Sequence, residues 1–228
     1  MANSRAHDQV LFPWAFPAPD GEALRGLICE RVDPLEQPAD RRVFTSDADL
    51  NPDVVWPALV DGYQPAAVLI GLAQRAEGLS VILTRRADTL RRHAGQIAFP
   101  GGRSEPGEAS WRTALREAHE EIGLQAEQVE LVGLSTPFRL QTGYDVTPVV
   151  GFVDSRFEPN ADPTEVAEVF EAPFMFLMNP ANRVRRLREQ PEPPRWHYAI
   201  TWGDRVIWGA TAAMLIALHD RLWGPAGD

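Results

Sequence analysis

Apolar and polar positions along this chain fall into two rhythms, and each predicts a kind of element. Residues 66–73 (AAVLIGLA) and 79–86 (LSVILTRR) are short apolar runs joined by a polar turn at Glu77-Gly78, the pattern of paired β-strands. Residues 96–99 read as a third strand that delivers the chain into Pro100-Gly101-Gly102. Val129–Leu134 and Tyr144–Val153, rich in Val, Tyr and Thr, read as two more. Residues 195–202 and 205–208 form a hairpin candidate across Gly203-Asp204. A helical period appears instead at Trp111, Ala114, Leu115, Ala118 and Ile122, one apolar stripe on a helix that Gly123 can end. Ser110 is its expected N-cap, with Glu108 adding charge near the start. Met214, Leu215, Leu218 and Leu222 mark another helix over 210–222.

Two segments read less regularly: 164–170 as a helix, and 181–194, rich in Arg and Pro, as a surface loop. Residues 1–62 read as an N-terminal extension, with a short helix around 22–31 and turns at Asp33-Pro34 and Asn51-Pro52. Trp14, Phe16 and Trp56 in this arm are expected to pack on the body or on a second subunit. Strands interleaved with two or three helices predict an α/β or α+β domain over 63–228, a mixed sheet sandwiched by helices.

Composition narrows the function. The chain of 228 residues is 44% hydrophobic and 24% charged, the balance of an ordinary soluble globular protein. Its net charge of −10 implies no general attraction to nucleic acid or membrane, so an anionic substrate must meet local positive charge. All 22 basic residues are Arg, so every cationic phosphate contact falls to guanidinium groups. The single cysteine, Cys29, excludes an internal disulfide and suits a reducing, cytoplasmic setting; beside Leu27 and Ile28 it is expected to be buried. Residues 10–19 are apolar but broken by prolines, unlike a signal peptide, and no run reaches membrane-spanning length.

The helix over 110–122 carries the chemistry. Glu117, Glu120 and Glu121 stand at i, i+3 and i+4, so their side chains converge and repel near a helix C-terminus that already disfavours anions. A hard divalent cation that takes oxygen ligands accounts for that cost; a merely solvated acidic face is the alternative.

The neighbouring residues resolve the choice. Gly102, Glu108 and then Arg116-Glu117-Ala118-His119-Glu120-Glu121-Ile122-Gly123-Leu124 resemble the Nudix box, with Ala118 small where a larger aliphatic is common. Upstream, Ile82 through Ala87, then Arg91, Gly95 and Phe99-Pro100-Gly101-Gly102, are similar to the signature of the coenzyme A pyrophosphatase branch of that family. The resemblance implies a Nudix-type α/β/α sandwich and a metal-dependent hydrolase. It implies Mg²⁺ or Mn²⁺ held by Gly102, Glu117, Glu120 and Glu121. Arg116 is expected to brace Glu108 and hold the glutamates in place.

Arg86, Arg91, Gly95, Phe99 and Gly101 are the expected substrate-binding positions, with Arg86 or Arg91 reading phosphate, including the 3′-phosphate of coenzyme A. His93 reads as a surface or packing residue. The implied reaction splits coenzyme A, or a derivative, into 4′-phosphopantetheine and adenosine 3′,5′-bisphosphate. The general base stays open between a helix glutamate and an acid near Glu165 or Glu168. A pyrophosphatase for ADP-ribose or NADH is the nearer rival and a non-catalytic Nudix module the more distant one. The resemblance and the aromatic-bearing arm also suggest a homodimer.

Overall fold

A computed structural model describes residues 21–36, 44–56, 59, 62–189 and 193–224. Trp14 and Phe16 lie outside these residues. A nine-stranded mixed sheet forms the centre. Its spine is β2 (Gln64–Arg75), paired in parallel with β8 (Tyr144–Val153) and antiparallel with β3 (Gly78–Arg86). Alternation on β2 explains its apolar run. Ala67, Leu69 and Ala73 face one core, while Ala66, Ile70 and Leu72 face the other, so both sides are buried.

Helices cover the two faces. On one lies α3 (Ser110–Ile122), whose Ala114, Ala118 and Ile122 are fully buried with Trp111 packed beside them. On the other lie α1 (Gly21–Arg31), α4 (Phe174–Met178) and α5 (Ala210–Trp223). This is the α/β/α sandwich with a mixed sheet expected from the sequence. Burying Leu215 or Leu218 of α5 contributes about 2 kcal/mol each by area.

The remaining strands complete the frame. β4 (Ile97–Ala98) pairs with β3, β5 (Gly101–Arg103) with β2, β6 (Val129–Leu134) with β8, and β7 (Phe138–Leu140) with β8. The arm is not wholly outside the sheet: β1 (Thr45–Ser46) runs parallel to β7, and the short α2 (Asp47–Leu50) follows it behind a Ser46 capping box.

Several expectations are corrected. Residues 164–170 do not form a helix; β9 (Val166–Pro173) pairs antiparallel with β3. Val166, Val169 and Phe170 have helical spacing, but the open edge of β3 supplies hydrogen-bond partners, and β-branched and aromatic residues suit a strand. Residues 181–194 are not all loop. β10 (Arg183–Arg188) joins β11 (Arg195–Trp202) and β12 (Arg205–Trp208) in a separate three-stranded sheet. The predicted hairpin across Gly203-Asp204 is present, with Gly203 at φ 61°.

Ser110 is the first helical residue rather than the cap; Ala109 takes the cap position and makes no side-chain bond there. Gly123 does end the helix in the left-handed conformation, at φ 73°. Cys29 is exposed rather than buried, because α1 turns Leu24 and Ile28 inward.

Candidate active site

The site forms where β5 brings Gly101 and Gly102 under α3. Register pairs Ala67 with Gly102 and Val68 with Gly101. A Cβ on Gly101 would lie 2.4 Å from the Ala67 carbonyl oxygen, and one on Gly102 would lie 2.5 Å from the Glu117 carboxyl carbon. Only glycine permits either approach.

The three helix glutamates differ sharply in setting. Glu121 is 4% exposed and accepts a hydrogen bond from the Gly101 N–H at 3.1 Å. Burial pushes its carboxyl up to about 7; the Gly101 N–H and Arg86 pull it down, while Glu117 and Glu165 push it further up. Glu117 is half-buried and is also raised by burial, against the pull of Arg116. Glu120 is exposed.

Arg116 ties the acidic loop to the helix. Its Nε donates to Glu108 Oε1 at 3.1 Å, its Nη2 to Glu108 Oε2 at 3.1 Å and to the Arg103 carbonyl at 3.0 Å. Its Nη1 bridges Glu117 at 2.8 Å and Glu120 at 3.2 Å. Glu108 also accepts from Thr113 Oγ1 and the Glu105 N–H. Hydrogen bonding from Arg116 is the main reason the Glu108 carboxyl falls to about 2.

The loop after β3 closes on Arg86. The Arg86 N–H donates to the Gln96 carbonyl at 3.0 Å, and the Gly95 N–H donates back to the Arg86 carbonyl at 3.2 Å. Gly95 takes φ 68°, the conformation that lets this loop fold back. The result puts Arg86 Nη1 3.7 Å from Glu121 Oε1. Phe99 is 2% exposed in the core below. Arg91 is exposed and does not line the adjoining cavity, so the structure brings Arg86 and Gly101 to the acidic helix, with Gly95 shaping the Arg86 loop, but places Phe99 in the core on the other face of the sheet and leaves Arg91 outside. Arg85 is turned to Asp88 and Glu168. His93 is exposed, with Nδ1 2.9 Å from Gln96 Oε1.

A segment after β8 adds a further acid. The Asn160 and Asp162 N–H groups donate to the last carbonyls of α3, Ile122 and Glu121, satisfying a helix end. Glu165 follows, and its carbonyl accepts from the Ala87 N–H at 2.8 Å. Its charge raises both Glu117 and Glu121. Glu168, by contrast, is held by Arg205.

The donor set is one of hard oxygens, carboxylates packed against the backbone at Gly102. Among the described residues no three acidic, His or Cys side chains already surround one point, since Arg116 bridges Glu117 and Glu120. The raised carboxylates, buried Glu121 and half-buried Glu117, are nevertheless a charge that a hard divalent cation offsets.

Residues 62–195 match the model of the NUDIX domain. The chain belongs to the Nudix family. It is 40% identical over 159 residues to the "Uncharacterized Nudix hydrolase NudL" of Yersinia pestis (strain Pestoides F), covering 69% of this chain and 79% of that one. The same figures hold for the NudL of Yersinia pseudotuberculosis serotype O:1b (strain IP 31758). Among solved structures, the Nudix hydrolase RenU from M. Smegmatis is 24% identical, with a TM-score of 0.44 over 53% of this chain and 80% of that one. Membership of that family makes the chain a Nudix pyrophosphohydrolase, and Nudix hydrolases generally need a divalent metal ion. No helix among the described residues is long and apolar enough to cross a membrane.

Sequence reasoning missed a cavity of about 380 Å³ that borders the Nudix site at Arg86 and Gly101. Trp56, Trp196, Trp208, Arg188 and Arg195 line it, and most of these come from the small second sheet. The only signal was an Arg-rich stretch lying against a Trp-bearing hairpin.

Proposed function

We propose that this chain hydrolyses the pyrophosphate bridge of coenzyme A or its derivatives, giving 4′-phosphopantetheine and adenosine 3′,5′-bisphosphate. One observation carries this reading. Arg86, from the loop that resembles the coenzyme A signature, stands beside Glu121, from the Nudix helix, at 3.7 Å. Recognition and chemistry therefore share one wall. An Arg there offers forked donors to phosphate oxygens.

Glu117, Glu120, Glu121 and the Gly102 carbonyl would hold Mg²⁺ or Mn²⁺. The bound ion would supply charge neutralisation for the phosphate oxygens and acidify a water. The chain's own groups do the rest. Arg116, locked to Glu108, fixes the rotamers of Glu117 and Glu120. Gly101 aims its N–H at Glu121 and holds that carboxylate against the sheet. Arg86 orients the pyrophosphate. Water attacks one phosphorus, the bridging P–O bond breaks, and its electron pair leaves with the other phosphate. Glu165 takes the proton from the attacking water: its charge reaches both Glu117 and Glu121, and Glu168 is already committed to Arg205.

A panel of coenzyme A, an acyl-coenzyme A, ADP-ribose and NADH, each with Mg²⁺ or Mn²⁺ and products identified by mass, tests the reading. The coenzyme A compounds should give kcat/KM at least about tenfold above the others, a difference of roughly 1.4 kcal/mol. Faster cleavage of ADP-ribose or NADH would overturn it.

A further inference from the structure

The cavity beside Arg86 is built unlike the rest of the surface. Three tryptophans line it, and each has a guanidinium over its ring: Arg195 on Trp56 at 4.4 Å, Arg185 on Trp196 at 4.6 Å and Arg188 on Trp208 at 5.4 Å. Trp196 is 40% exposed. Neither Arg188 nor Arg195 makes an ion pair with an acid among the described residues, although the chain as a whole carries net charge −10. The Nε atoms of Arg86 and Arg195 are buried and find no protein acceptor. One acid, Asp47, faces the same space, against three arginines. The α5 helix also begins here at Gly209, with no side-chain cap.

These features call for a flat, apolar ring that carries extra negative charge. Planar guanidinium and indole groups stack with nucleobases. Arginines outside any close ion pair favour phosphate, which they bind through paired donors, although Asp47 also feels the charge of Arg195. An uncharged amide arm would leave them unmatched.

We propose that this cavity seats the nucleotide half of the substrate, with the purine among Trp56, Trp196 and Trp208 and the ribose phosphate held by Arg188 and Arg195. This rests on the coenzyme A reading and deepens it. The scissile pyrophosphate then lies at Arg86, on the border between cavity and acidic helix, and the pantetheine arm leaves on the other side. Reading of the 3′-phosphate, expected of Arg86 or Arg91, then falls to the second sheet, with Arg86 at the pyrophosphate and Arg91 outside the cavity.

The test is binding rather than turnover. Adenosine 3′,5′-bisphosphate and adenosine 5′-monophosphate are titrated separately into the full chain in divalent-free buffer, followed by tryptophan fluorescence and calorimetry. The bisphosphate should bind at least about tenfold tighter. That preference should fall below about threefold in Arg188→Gln, at an exposed strand position, and in Arg195→Gln. Equal affinity for the two nucleotides in the wild type, or an undiminished preference in both variants, overturns the assignment. The substrate panel fails separately. A chain that cleaves ADP-ribose yet prefers the bisphosphate keeps the cavity assignment and loses the coenzyme A reading. A chain that cleaves coenzyme A with no such preference does the reverse.

Discussion

Arg86 Nη1 lies 3.7 Å from Glu121 Oε1, so a cation from the strand-end loop faces the most buried carboxylate of the Nudix helix. The contact is longer than a hydrogen bond, which leaves the guanidinium free to turn toward phosphate. Arg86→Ala should therefore lower kcat/KM by about 10- to 100-fold, or roughly 1.4–2.7 kcal/mol, while Arg91→Ala changes it by less than about threefold. Steady-state kinetics on coenzyme A separates them, and equal losses would contradict the different placement of the two arginines.

Glu117→Gln and Glu121→Gln should each lower kcat by at least about 10²-fold with the fold retained. The check is turnover alongside far-ultraviolet circular dichroism and a thermal melt. In the wild type, added Mg²⁺ should raise the melting temperature, because a ligand that binds only the folded state stabilises it. Both variants should lose most of that rise. Wild-type turnover in either one would remove the glutamates from the metal site.

Glu165 and Glu168 make a paired comparison. Glu165→Gln should cut kcat by about 10²-fold and flatten the acidic limb of the pH–rate profile. Glu168→Gln breaks a contact with Arg205 and should act chiefly on stability, by about 1 kcal/mol or less at a partly exposed pair. A larger kcat loss in Glu168→Gln than in Glu165→Gln would reverse the assignment of the base.

Glu108 predicts a pH dependence of stability. Its carboxyl sits at about 2 in the folded chain, below the ordinary 4.5, chiefly through hydrogen bonding from Arg116. A depressed acid stabilises the fold above its unfolded value, and that contribution drains away as pH falls from about 4.5 toward 2. Urea melts should show about 2 kcal/mol lost across this window, less in Glu108→Gln. Identical acid slopes in the two proteins would show that the Arg116 brace does not stabilise the fold.

Gly102→Ala tests the close approach at β5. The added methyl would meet the Glu117 carboxylate, the far end of a flexible side chain, so that carboxylate moves rather than the sheet. Activity should fall at least about tenfold with a change in stability under about 1 kcal/mol. Gly101→Ala meets backbone at Ala67 and should destabilise more. Measuring both activity and melting for the two variants distinguishes the effects.

The sequence by itself determined the acidic helix, its Gly123 stop, the strands on either side of it and the chemistry of its glutamates. Those features are local: spacing of apolar residues and turn chemistry act within a few positions. It also determined that Arg116 would reach Glu108, since a helix and the loop entering it are neighbours in the chain. The tertiary structure alone decided what depends on partners distant in sequence. Residues 166–173 have helical spacing yet became a strand because the edge of β3 offered backbone partners. The Arg-rich stretch became β10 because β11 lay beside it. Arg86 and Arg91 look equivalent in the sequence, and only the closure of the loop through Gly95 points one at Glu121 and leaves the other outside. The cavity of three tryptophans and three arginines draws on the arm, the signature loop and the second sheet at once. No periodicity within any one segment could assemble it, because it exists only where those segments are packed together.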